Sequence, residues 1–404
     1  MSRRRRITLM LFAAAVVVAV CVAPSAYRGW CNFQRRESAE QCRDALSRQR
    51  WDDLESIADR WSVWDPQNGE PWQFRAQAAA GRRDWPAAAK HLSQIPDTDS
   101  RVVQAMIELS KLSFTHLNDP LRGVAACERI LRKEPHAAGA HQQLIWFYAM
   151  TLQRDPLVKQ IRAAIAAQQE PREAYVYFFL VDTFRSNVAV KLNEHWLESS
   201  PNEECFQVAR VLHLQDSEAE SSDSPATTSN GDHPAPITGR SKIELVEDLL
   251  KRFPHNVELL AYAAQERMTA GDVDGTAALL SQAPATATPD SRFWHIKGWL
   301  HESNNELDEA AATYRRALEL HALDWNTMNR LAIVERRRQN INDVQRLTKR
   351  FEQAKELRRQ LRQLPAVELV TPAILLELAT LARESGDQEI GPSLERRLAS
   401  GRMR

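Results

Sequence analysis

The stretch Phe293–Leu323, FWHIKGWLHESNNELDEAAATYRRALELHAL, decides the reading of this 404-residue chain. Apolar residues recur at helical spacing on both sides of a polar break at Ser303–Asn305, so the pattern predicts two short helices joined by a turn. Gly298, Ala310 and Ala317 are small enough to let two helix backbones approach closely. Trp294 and Tyr314 are placed to fill the space between them. One such pair cannot bury its apolar face alone, so further pairs are expected along the chain.

They are found on both sides. Arg35–Asn68 carries Trp51, Leu54, Ala58 and Trp61 and stops at Asp65-Pro66, where proline ends a helix and the chain turns. Gly69–Ser100 supplies Trp72, Ala76, a turn at Gly81–Asp84, and Ala88. Gln104–Ala137 stops at Glu134-Pro135, and Ala138–Gln169 turns at Arg154-Asp155-Pro156. Glu170–Glu203 is aromatic and closes at Pro201-Asn202. Beyond a gap, Val257–Pro289, Ser291–Asp324, Trp325–Leu364 and Pro372–Arg404 continue the pattern. The gap is Asp216–Arg240, rich in Ser, Thr, Pro and acid. It cannot bury enough apolar surface to offset its ordering entropy and reads as a disordered insertion between two helices of one unit.

The Phe293–Leu323 pattern resembles the tetratricopeptide repeat, a helix–turn–helix unit of about 34 residues. The resemblance covers about 35–400 as nine or ten units, of which Ser291–Asp324 is specific enough to stand alone. It implies an all-α, right-handed α-solenoid, with the first helix of each unit lining a concave face. On this reading 35–215 is a first array, 216–240 the insertion, 241–364 a second array and 365–404 a closing unit. The family's ligand-facing positions fall here on Arg292, His295, Trp299 and Glu302 in the strongest unit. In the others they fall on Gln142 and Trp146, on Glu258 and Gln265, and on Asn326, Asn329 and Arg336. The Lys/Asn set of chaperone-tail binders is covered only in fragments, so acidic C-terminal tails are not implied as ligands.

Composition agrees with an all-α chain: Gly numbers only 13, and Val/Ile/Thr-rich runs are missing beyond Leu11–Val22. Charge is balanced, 53 basic against 53 acidic residues, which is no signature of a nucleic-acid binder. Residues 1–27 read as a targeting segment. Arg3–Arg6 precede the 17-residue apolar run Ile7–Ala23, long enough at the lower edge for a spanning helix. The arginines should stay cytoplasmic, placing the bulk of the chain across the membrane, or releasing it there if the segment is cleaved. Of five cysteines, Cys31 and Cys42 are candidates for a disulfide in an oxidising compartment.

No phosphate-binding loop, HExxH or GxSxG is present, and no Cys/His pair has metal spacing. No cofactor is implied. Asp272-Val273-Asp274-Gly275 opens like a calcium loop but lacks the later ligands; helix capping accounts for it. Arg336–Arg362 holds ten Lys/Arg against three acids and is the main rival signal, a candidate anionic-polymer or lipid surface. The expectation is therefore a membrane-anchored, non-catalytic scaffold with a protein partner in the cell envelope. The alternatives are an envelope enzyme subunit, with Glu170–Leu214 as its only home, or a polymer-binding module using 336–362.

Overall fold

The computed structural model describes residues 29–214 and 241–399, and every regular element among them is helical. Ile7–Ala23 and the insertion 216–240 lie outside the described residues. No described helix is long and apolar enough to cross a membrane. The helices fall into two compact units, one up to Lys133 and one from Glu134 onward. The first holds α1 (29–47), α2 (Trp51–Trp64), α3 (Gly69–Gly81), α4 (Trp85–Ser93), α5 (Val102–Thr115) and α6 (Pro120–Lys133). The second opens with α7 (Ala138–Met150), α8 (Arg154–Ala166), α9 (Arg172–Phe179), α10 (Asn187–Ser199), α11 (Glu204–Leu212) and α12 (Lys242–Arg252). It continues through α13 (Val257–Thr269), α14 (Val273–Ser281), α15 (Ser291–Ser303), α16 (Leu307–Leu320), α17 (Trp325–Arg337), α18 (Ile341–Arg362), α19 (Pro372–Ser385) and α20 (Ile390–Ala399).

The repeat is visible in the backbone. Seven of the turns inside helical hairpins contain a left-handed residue in two regular runs: Gln49, Arg83, Asn118 and Leu152, then Gly271, Asn305 and Gln339. Within each run these positions recur every 34 or 35 residues, the period of the repeat that the sequence resembles. The left-handed residue turns the next N–H groups back onto the last helical carbonyls. Asn305 N–H meets Glu302 O at 3.1 Å and Glu306 N–H meets His301 O at 2.9 Å. In some of these hairpins an aspartate then caps the next helix: Asp84 Oδ1 accepts from Ala87 N–H at 3.1 Å, and Asp272 Oδ1 from Gly275 N–H at 2.8 Å. Asp272 thus caps α14, as the capping reading of Asp272–Gly275 expects.

Packing of the α15–α16 hairpin follows the small residues. Ala310 and Ala317 have no exposed surface. A Cβ at Gly298 would stand 2.7 Å from the Tyr314 ring, so the aromatic lies directly on the α15 backbone. Trp294 departs from expectation. It is half-buried, donates from Nε1 to Thr288 O at 2.8 Å, and lies beneath Lys297 and Arg316. Phe293 takes the interior place instead, with Leu260 and Ala261.

Two further expectations are corrected. Cys31 and Cys42 are both free and lie on the same helix, α1. Eleven residues of helix separate them by about 16 Å, beyond the reach of a disulfide. Residues 170–203 do not form one hairpin: α9 packs on α8 and on the turn Val367–Leu369, while α10 pairs with α11. The reason is that α9 is apolar all round. Seven of its eight residues, Glu173–Phe179, are buried, and a helix without a polar face belongs in an interior. On the far side of the insertion the pattern returns, because α12 packs against α11 and α13.

Within the second unit the last helix reaches back to this interior segment. Tyr175 Oη donates to Glu170 Oε1 and lies 2.8 Å from Ser393 Oγ on α20. Arg162 Nε donates to Glu389 at 2.7 Å, and Arg397 bonds the Glu170 carbonyl. The unit therefore closes around α8 and α9.

Candidate binding cleft

The N-terminus of α8, the α9–α10 connection and the starts of α13 and α15 converge in a buried ionic seam. Arg154 is 9% exposed. Its Nε donates to Asp182 Oδ1 at 2.6 Å, its Nη2 to Ser291 Oγ at 2.8 Å, and its backbone N–H to Glu258 Oε1 at 3.3 Å. Arg292 donates to Glu258 Oε2 and to Asp290 Oδ2, both at 2.6 Å, and stands 3.7 Å from Asp182. Two guanidiniums and three carboxylates thus share one site. Burial pushes the Asp182 carboxyl up, but Arg154, His321 and Arg292 together hold it well below the usual carboxylate range. Asp290 is held low in the same way, its burial outweighed by Arg292 and Arg154.

Two buried histidines lie along the seam. His321 sits edge-on to Phe178 at 5.2 Å, and His295 Nδ1 is 2.7 Å from Thr327 Oγ1. Burial lowers the basicity of both, against the opposing pull of Asp182 and Asp324. Thr327 donates its hydroxyl to Asp324, so His295 Nδ1 carries the proton and donates to Thr327. That direction is opposite to the one a nucleophile activated by histidine requires, and Thr327 has no exposed surface.

Beside the seam opens a cleft of about 1000 Å³. Its walls are aromatic, from Trp146, Tyr177, Phe184 and Tyr262, and Asp182 is common to cleft and seam. Four cations, Arg185, Lys242, Arg358 and Arg362, line it together with the carboxylates Asp182, Glu266 and Glu368. Lys242 Nζ lies 4.6 Å above the Tyr262 ring and donates to Leu214 O at 2.8 Å. Arg358 stacks on Trp325 at 4.9 Å, and Arg362, one helical turn on, shares its face of α18. Behind the wall His213 accepts from Ser186 N–H and donates from Nε2 to Met150 O. Burial, with Arg185 nearby, pushes this imidazole down to about 3.

The positions expected from the sequence are dispersed across these surroundings. Trp146 and Gln265 reach the cleft, Trp146 edge-on to Trp196 at 6.0 Å. Glu258 and Arg292 meet in the seam, so both face this chain's own Arg154 and Asp182. Gln142 is exposed and donates to Glu173 at 2.7 Å. Trp299 is 7% exposed and packs in a core with Ala264, Met268 and Ile296. Glu302 accepts from Tyr314 Oη at 2.9 Å and stands 3.6 Å from Arg330. Asn326 and Arg336 are exposed and Asn329 half-buried, all on α17.

Much of the Arg-rich tract is used internally. Arg337 donates to Asn305, Arg338 to Asp308, Arg346 to Asp343, Lys349 to Glu384 and Arg359 to Glu356. The tract's contribution to the cleft, Arg358 and Arg362, is signalled by their four-residue spacing. Arg154, Asp182 and Asp290 were missed because each reads locally as a turn or cap residue. Only the approach of α8 to α15 brings them together.

No family model matches the chain, and no curated protein matches it. Among solved structures it is similar to a tetratricopeptide repeat protein from Parabacteroides merdae ATCC 43184, at 10% identity over 75% of this chain and 99% of that one, with a TM-score of 0.25. Yeast Tom70 aligns at 13% identity over 99% and 96% of the two chains, TM-score 0.28. The APC/C hetero-tetramer Cut9-Hcn1 aligns at 13% over 95% and 81%, TM-score 0.32. With TM-scores this low the likenesses carry no weight beside the chain's own hairpin geometry.

Proposed function

We propose that the protein is a non-catalytic helical-repeat scaffold that holds a partner polypeptide, anchored to a membrane by Ile7–Ala23 with the bulk of the chain extracytoplasmic. The observation that carries the scaffold reading is the cleft. Aromatic faces, four cations, three carboxylates and the amide of Gln265 in one concavity suit an extended segment bearing apolar and charged side chains of both signs. The anchoring part rests on the arginine-flanked apolar run in the sequence.

The test of the cleft is crosslinking in intact cells from p-benzoylphenylalanine placed at Gln265, with the exposed Lys251 on α12 as the comparison position. A discrete protein adduct at 265 and none at 251 is expected. Glycan or lipid adducts at 265 would replace the scaffold reading with polymer or lipid binding, and no adduct at all would remove the cleft as a site. For topology, a C-terminal alkaline phosphatase fusion should be active; an inactive fusion ends the extracytoplasmic assignment.

A further inference from the structure

Nine large apolar side chains are exposed among the described residues, and four of them sit at one end of the first hairpin. Trp30 and Phe33, near the start of α1, are 55% and 63% exposed; Val63 and Trp64, at the end of α2, are 77% and 38% exposed. The two helices run antiparallel, and Arg35 Nε donates to Asp65 Oδ2 at 2.7 Å, which holds the start of α1 beside the end of α2. The hairpin's own core does not need these four residues. It is built from Ala39, Cys42, Leu54, Ala58 and Trp61, with Phe74 from α3.

The chain outside the described residues says what lies nearest this end. Five residues, 24–28, lie between Ile7–Ala23 and Gly29. Five residues span at most about 18 Å even when fully extended. A hairpin tethered so closely to a membrane-entering segment stands within reach of the headgroup layer, where tryptophan and other amphipathic aromatics are enriched. Arg36, exposed beside the aromatics, suits anionic headgroups. We propose that the end of the α1–α2 hairpin bearing Trp30, Phe33, Val63 and Trp64 lies in the bilayer interface, so that the first unit is seated on the membrane rather than suspended from it. The proposal rests on the membrane-anchor reading above.

The test uses the full-length protein with p-benzoylphenylalanine at Val63, and at the exposed Ile341 for comparison, reconstituted in vesicles of phosphatidylcholine and phosphatidylglycerol carrying an alkyne-tagged lipid. Flotation with the vesicles and resistance to carbonate extraction report the anchor. Photo-adducts to the tagged lipid report the seat. Stable flotation with lipid adduct at position 63 and only background at 341 is the expected result. Stable flotation with equal or no adduct at the two positions overturns the seat while leaving the anchor intact. Adduct at 63 to a second protein chain overturns it in favour of a protein interface. Failure to float removes the anchor and the seat together.

Discussion

At the scale of single residues, the turns hold the most informative strain. Arg83 is exposed and occupies the left-handed region with φ of 61°. A non-glycine residue there costs about 1–3 kcal/mol, more than the about 0.4–1 kcal/mol of extra freedom that glycine returns to the unfolded chain. Arg83→Gly should therefore stabilise the α3–α4 hairpin by about 0.5–1 kcal/mol net, read as slower amide exchange in α3 and α4. Faster exchange would mean that the arginine side chain contributes more than its backbone costs. His213 offers a pH test. Its folded value near 3 lies below the ordinary 6.5, so between those limits the unfolded chain binds more protons than the folded one. Stability of the second unit should be fully present above about pH 6.5 and fall by about 1.4 kcal/mol per pH unit from this group as acid is added. His213→Gln retains a donor and an acceptor and should flatten that part of the profile. An unchanged slope would assign the acid sensitivity to other groups.

Helix pairing is the next scale. Ala310 is fully buried where α16 crosses α15, and Gly298 there carries the Tyr314 ring. Ala310→Leu should cost about 1–3 kcal/mol by overpacking. Because each hairpin supports its neighbours, the loss should appear as faster hydrogen exchange in α13–α18 and leave α1–α4 unchanged. Unchanged protection of α15 and α16 would show that the site relaxes without strain. The seam tests pairing of a different kind, between elements far apart in the chain. Arg154→Met leaves Asp182 and Asp290 buried without one of their two cations, which should cost about 3–5 kcal/mol. The double variant Arg154→Met with Asp182→Leu should recover part of that loss in chemical denaturation. No recovery would place the role of Arg154 in its bonds to Ser291 and Glu258 instead.

For the whole molecule, closure of the second unit around α9 decides which surfaces remain open. The first helices of the later hairpins turn Glu258, Arg292 and His295 toward α8, α9 and each other, and Tyr175 and Ser393 bring the last helix to the same interior. Within the second unit, the cleft proposed for a partner is bounded by Trp146, Phe184, Tyr262 and Arg358.

The amino-acid sequence by itself determined the helices, their stops and their period. Helical spacing, the prolines at 66, 135, 201 and 254, the capping acids and the small residues Gly298, Ala310 and Ala317 act within one hairpin, where every interacting residue is close in the chain. The misreadings are of another kind. Trp294 and Phe293 are neighbours of similar bulk, and only the neighbouring hairpin decides which is interior. The eight residues of α9 read as a degenerate repeat because burial on all faces erases the 3.6-residue pattern on which such a reading depends. The Arg154–Asp182–Arg292 seam and the cleft beside it join positions more than a hundred residues apart. Tertiary structure alone decided them, because electrostatic pairing leaves no spacing in the sequence when its partners arrive from different hairpins.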